Sequence, residues 1–162
     1  MKTKLLLLLV SLSAILGACS AEDELRSPLW GIDYSDENSS GFAMGAVEQF
    51  IGDSKTTYIV KMANLRCAEG DVYTLLYTFE SGDAMELRIA KKTIDYNYTF
   101  PANEGGNQLL GVTFNGEMLN LAESKVSIQP RTEENKLATI AKIQTVNKGL
   151  FDGAIGRVPL LK

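Results

Sequence analysis

Apolar residues in this chain recur mostly at every second position, the period of a strand with one buried face. Tyr73, Leu75, Tyr77 and Phe79 fall in one phase and Val72, Thr74, Leu76 and Thr78 in the other, so this strand is expected to be central or covered on both faces. Met85, Leu87 and Ile89 alternate with Glu86, Arg88 and Ala90, which predicts a half-buried strand. Glu80-Ser81-Gly82-Asp83, between the two, suits a hairpin turn. Ile94, Tyr96, Tyr98 and Phe100 alternate with Asp95, Asn97 and Thr99 and read as a further strand, ended by Pro101 and the loop residues that run to Asn107.

The sharpest local signal is Asn115-Gly116. A two-residue type I′ turn needs positive φ at both central positions, and this pair supplies it at least cost. The turn predicts Phe114 opposite Glu117, Val112 opposite Leu119 and Leu110 opposite Leu121, which places apolar pairs on one face. Other strands are expected at Thr57 to Leu65, Lys125 to Gln129, Leu137 to Val146 and near Ala154 to Leu160. Polar loops at Pro130 to Asn135 and at Asn147-Lys148-Gly149 separate the later ones. In Ala43 to Ile51, Met44, Val47 and Ile51 fit helical spacing, but Gly41, Gly45 and Gly52 weaken a helix, and a strand is expected. Eight or nine strands with short turns make an all-β domain over residues 41–162, a single antiparallel β-sandwich or barrel.

The amino terminus breaks the pattern. Lys2 and Lys4 precede an apolar run from Leu5 to Leu16 that is too short for a bilayer span, which takes roughly 20 residues. Basic start, apolar run and small residues are the parts of a secretory signal. Leu16-Gly17-Ala18-Cys19 resembles the lipobox of bacterial lipoproteins. That resemblance covers the targeting segment alone. It implies a signal peptide at 1–18, cleavage between Ala18 and Cys19, diacylglycerol on the Cys19 sulfur, and a membrane partner reached through that lipid. Two or three acyl chains hold a domain far more firmly than one. Ser20, Glu22, Asp23 and Glu24 are similar to the export signal that sends lipoproteins of the Bacteroidota to the outer face of the outer membrane. The alternative is a solvated acidic tether on the periplasmic side. Either way, residues 19–40 are expected to be a lipidated acidic tether that meets the domain near Trp30.

Composition then narrows the chemistry. The 162 residues include no histidine, which removes Ser-His and Cys-His nucleophile pairs, an imidazole base and His-rich metal sites. There are 16 basic against 20 acidic residues, and loss of Lys2 and Lys4 with the leader takes the net charge from −4 to −6. An acidic domain repels phosphate, so no nucleic-acid partner is expected. With Cys19 lipidated, Cys67 would have no disulfide partner and would act as a buried small hydrophobe. Glu133-Glu134, and Asp83 with Glu86, are the carboxylates to consider for acid-base work, but their spacing reads as solvated surface. Asp33, Asp36, Glu37 and Asn38 lack the order of an EF-hand-type calcium loop. Neither Gly105-Gly106 nor Gly149 to Gly156 is set between a strand and a helix as a phosphate loop requires. Neither a catalytic residue, a metal site nor a cofactor is therefore expected.

The aromatic set Tyr73, Tyr77, Phe79, Tyr96, Tyr98 and Phe100 has the spacing of a β core, although tyrosines could also line a pocket. The sequence thus predicts a lipid-anchored cell-envelope protein with a non-enzymatic binding or structural role at the outer membrane surface. The alternative is a calycin-like barrel that carries a small apolar ligand in an open cavity lined by Tyr and Leu. Lipocalins, a calycin group, show Gly-x-Trp near the first strand; here the order is Trp30-Gly31.

Overall fold

Strand after strand in this chain buries one face only, and a sheet of that kind can curl until its edges meet. The computed structural model describes residues 26–27, 32–33, 43–131 and 136–161. The expected signal peptide and most of the tether lie outside the described residues. Within the tether, β1 (Arg26–Ser27) and β2 (Ile32–Asp33) form a short antiparallel ladder.

The domain proper begins with β3 (Met44–Ile51), β4 (Ser54–Glu69), β5 (Val72–Phe79), β6 (Ala84–Ala90) and β7 (Asn97–Phe100). It continues with β8 (Gln108–Phe114), β9 (Glu117–Met118), β10 (Ser124–Arg131), β11 (Lys136–Gln144), β12 (Leu150–Val158) and β13 (Leu160–Leu161). Nine of these close a barrel in the order β4, β3, β12, β11, β10, β7, β8, β6, β5 and back to β4. All neighbours in the ring are antiparallel except β7 and β8, which meet as a parallel pair at Thr99 and Gln108. The ambiguous segment from Ala43 to Ile51 is a strand, as expected. The all-β class is as read from the alternation, and the architecture is a barrel rather than a sandwich.

Closure depends on β4, whose upper half pairs with β3 and whose lower half pairs with β5. The register shifts between Val60 and Met62, where β4 passes from its pairing with β3 to its pairing with β5. In β5, Tyr73, Leu75, Tyr77 and Phe79 are buried while the alternate residues are half-exposed. One face of β5 is thus in the core, not both.

Side chains from opposite walls meet inside the barrel. Tyr77 on β5 donates its hydroxyl to Thr139 Oγ1 on β11 at 2.7 Å, and these strands are four apart in the ring of nine. Thr139 in turn donates to the Ile155 carbonyl of β12. Nearer the upper end, at the turns 80–83 and 115–116, Phe114 of β8 packs against Phe151 of β12, again four strands away, with ring centroids 5.4 Å apart. Tyr58 and Phe79 complete that aromatic layer, 5.3 Å apart. Leu75, Leu87, Val112, Ile128 and Ile143 expose no surface, so no water-sized void borders them.

The Asn115-Gly116 turn has φ of 51° and 79°, as a type I′ turn requires, and Phe114 pairs with Glu117. The Leu119 N–H donates to the Val112 carbonyl, so the second expected pair is present as well. The third is not, because Leu121 bridges Thr145 instead. An irregularity where β8 meets Arg88 and Ile89 puts Leu109 and Val112 both inward and leaves Leu110 40% exposed.

The expected strand Ile94 to Phe100 is shortened to Asn97–Phe100, and Ile94 is 78% exposed. Local side chains take the backbone donors before it. Asn107 Oδ1 accepts from the Thr93 N–H at 2.8 Å, and Asp95 Oδ1 accepts from the Tyr96 and Asn97 N–H groups. The last long strand starts at Leu150, earlier than Ala154, because Phe151 is in phase with Ile155 and buried with it. Pro130 and Arg131, expected in a loop, extend β10 opposite Leu137 and Lys136.

Removing the cross-lumen contact tests the packed interior. Tyr77→Phe should cost about 1 kcal/mol, since Thr139 keeps the Ile155 carbonyl as a partner. Tyr77→Ala should cost about 3–5 kcal/mol in urea denaturation, the range for an aromatic removed from a close-packed core. A cost below 1 kcal/mol for the alanine variant would show a loosely filled lumen.

Candidate functional site

Because the lumen is crossed by side chains, the surfaces open to a ligand are on the outside and at the ends. An external groove of about 1040 Å³ lies over the upper parts of β7, β10 and β11. Strand register builds its floor. Lys125 of β10 pairs with Thr99 of β7 on one side and Lys142 of β11 on the other, so these three outward side chains form a row. Two residues nearer the upper end, Pro101, Glu123 and Gln144 follow in the same phase, and Ala102 and Asn103 form a wall. The buried Ser124 hydroxyl accepts the Gln144 N–H at 3.0 Å and fixes the corner between β10 and β11.

Two features of this floor are unfavourable as they stand. Like charges directly opposite on antiparallel strands repel, and neither Lys125 nor Lys142 has a carboxylate within salt-bridge distance among the described residues. Asp152 faces Lys142 from β12. The Asp95 carboxyl is held below its ordinary range chiefly by the Asn97 side chain and backbone N–H groups, with a smaller effect from Lys125. The second feature is Thr99 Oγ1, which is buried without a hydrogen-bond partner. Such a hydroxyl costs about 1–3 kcal/mol.

The lower end holds a different cluster. Lys91 is fully buried, and its Nζ donates to the Asp95 carbonyl at 3.1 Å and the Tyr98 hydroxyl at 3.2 Å. The same nitrogen lies 5.5 Å from the Tyr96 ring centroid and 5.6 Å from that of Tyr98. Burial lowers the Lys91 pKa to about 8, against the opposing charges of Asp95 and Asp71. Burial likewise pushes the Tyr98 phenol up. An amine near neutrality can act as a nucleophile, but one with no exposed surface cannot meet a carbonyl substrate. Lys91 instead clasps the 91–96 loop to β7, and Asn107 holds the same loop through bonds to Thr93 and Asp95.

Ala18, Cys19, Ser20, Glu22, Asp23 and Glu24 lie outside the described residues, as do Glu133 and Glu134. Asp83 serves its turn, accepting from Ser81 Oγ and Asn115 Nδ2 at 2.7 Å, which holds its carboxyl low. Glu86 stands on β6 opposite Leu76. Among the described residues no three His, Cys, Asp or Glu groups converge as a metal site. Tyr73, Tyr77, Phe79 and Tyr98 are core residues, Phe100 is partly buried against the core, and Tyr96 is 38% exposed. Cys67 is half-buried and disulfide-bonded, which corrects the expectation of an unpartnered buried thiol.

Neither the groove nor the buried lysine was picked out by motif. Lys125 and Lys142 are 17 positions apart and become neighbours only through the hairpin register. Counting outward from the polar loop at 130–135 is the one signal that could have paired them. No protein-family model, no curated protein and no solved structure matches this chain.

The buried lysine has a consequence in pH. Its folded pKa of about 8 lies below its ordinary value of 10.5, so between these the unfolded chain binds more protons and stability rises with pH. Thermal melts at pH 7.5, 8.5 and 9.5 should show wild type gaining stability relative to Lys91→Met. Above pH 10 the raised phenols of Tyr77 and Tyr98 act in the opposite sense. Parallel profiles for the two proteins would disprove the burial of a charged amine.

Proposed function

We propose that this chain is a lipid-anchored cell-envelope protein whose barrel is a rigid, non-enzymatic binding module displayed at the outer membrane surface. The lipobox-like Leu16-Gly17-Ala18-Cys19 supports the anchor, and Ser20 with the acidic Glu22, Asp23 and Glu24 supports export. The observation that carries the binding reading is the contact of opposite walls through Tyr77 and Thr139, and through Phe114 and Phe151. A barrel braced in this way presents a fixed outer surface, and the groove over β7, β10 and β11 is a concave part of it. Anchoring confines that surface to the membrane plane and raises its effective concentration there.

A barrel is also the shape of a carrier for a small apolar ligand, and that reading requires the cross-lumen contacts to part. Titration with N-phenyl-1-naphthylamine separates the two. Unchanged fluorescence supports the filled module, and saturable enhancement supports the carrier.

Metabolic labelling with a palmitate analogue tests the anchor: wild type should be marked and Cys19→Ala should lose the label. The chain has two cysteines, so a lipid on Cys19 and a disulfide of Cys67 within the chain exclude each other. The lipid-anchored form is the one in which that disulfide is absent, and mass spectrometry of the non-reduced protein should find the lipid mass on the peptide that begins at Cys19. A Cys19–Cys67 linked peptide in its place would overturn the anchor. Replacing Glu22, Asp23 and Glu24 by alanine should remove protease accessibility on intact cells, and unchanged accessibility would reject their role in export.

A further inference from the structure

The paired lysines of the groove floor have a remedy in an anionic ligand. Lys125 and Lys142 stand side by side on neighbouring strands, about 4.8 Å apart in the pairing direction, and each lacks an ion-pair partner among the described residues. Thr99 extends the same row on β7. A carboxylate laid along this row would satisfy both ammonium groups.

The second row sets further terms. Glu123 is an acceptor only and needs donors from its ligand, whereas Gln144 both donates and accepts. Pro101, beside them, offers an apolar face. A densely charged phosphate chain would meet Glu123, and Asp152 beyond Lys142, with like charge. A chain of pyranose rings that carries carboxylates and free hydroxyls meets every requirement: anion for the lysines, hydroxyl donors for Glu123, and C–H faces for Pro101.

Resting on the reading of this groove as the binding surface, we propose that it takes an acidic oligosaccharide, a uronate-bearing chain, with Lys125 and Lys142 on its carboxylates and Glu123 and Gln144 on its hydroxyls. The positive row is short and flanked by acid, which suits a few sugar residues rather than an extended polyanion.

Affinity electrophoresis of the full-length protein in nonionic detergent tests this, with polygalacturonate, alginate and hyaluronate as uronate probes and dextran as the uncharged control. Retardation by at least one uronate polymer is expected, weakening as sodium chloride is raised, with none in dextran. The double variant Lys125→Gln/Lys142→Gln should bind at least tenfold more weakly. Both side chains are exposed, so an unchanged melting temperature will confirm that the fold is retained. Failure of all three uronate polymers to retard the protein, or binding indifferent to the lysine substitutions, would overturn the proposal. Dextran binding that is lost in the lysine variant would overturn the acidic class but keep the groove as a binding surface. The lipid-labelling result is independent of all these outcomes.

Discussion

The filling of the lumen by side chains that reach across it, Tyr77 to Thr139 foremost, joins opposite walls of the barrel, and much of the rest of the structure depends on it. A ring of nine strands has room inside that must be filled by side chains or left to a ligand. Here a tyrosine long enough to span toward the far wall fills it. Its polar tip would be costly in an apolar lumen without a partner, and Thr139 is placed to receive it. Thr139 itself is tied to the Ile155 carbonyl, so the brace runs from β5 through β11 to β12. The aromatic layer of Tyr58, Phe79, Phe114 and Phe151 closes the lumen above that level.

With its lumen filled, the barrel presents only its outer surface and its ends to other molecules. On that surface the strands act as rulers, since antiparallel register sets which outward residues stand abreast. Thr99, Lys125 and Lys142 are abreast because three separate strands are locked in phase by their buried faces, where Tyr98, Val126 and Ala141 lie. Core packing thereby fixes the outer chemistry: a slip of one residue in β10 would bury Lys125 and expose Val126.

The two ends of the barrel are finished differently. The upper end is closed by rings. At the lower end a long polar side chain, Lys91, is drawn inside and held by the Tyr98 hydroxyl and the Asp95 carbonyl. Asn107 reaches into the same loop and satisfies backbone groups on both sides of it. These local bonds explain why a segment with perfect alternation, Ile94 to Phe100, is half loop. The alternation described the side chains correctly at Tyr98, but it could not register that Asn107 and Asp95 would claim the N–H groups a ladder needs.

The sequence by itself determined the all-β class, most strand positions and the type I′ turn, because period-two burial and the φ demands of Asn115-Gly116 are local properties. It also carried the lipobox-like segment, which lies outside the described residues. Only the tertiary structure decided that the sheet closes into a barrel, since closure depends on β4 pairing with β3 over one half and with β5 over the other, which no periodicity reveals. The same holds for the inward turn of Lys91 and the row of Thr99, Lys125 and Lys142. These residues are far apart along the chain, and their proximity follows from register and ring closure, which are set by the packing of the whole core.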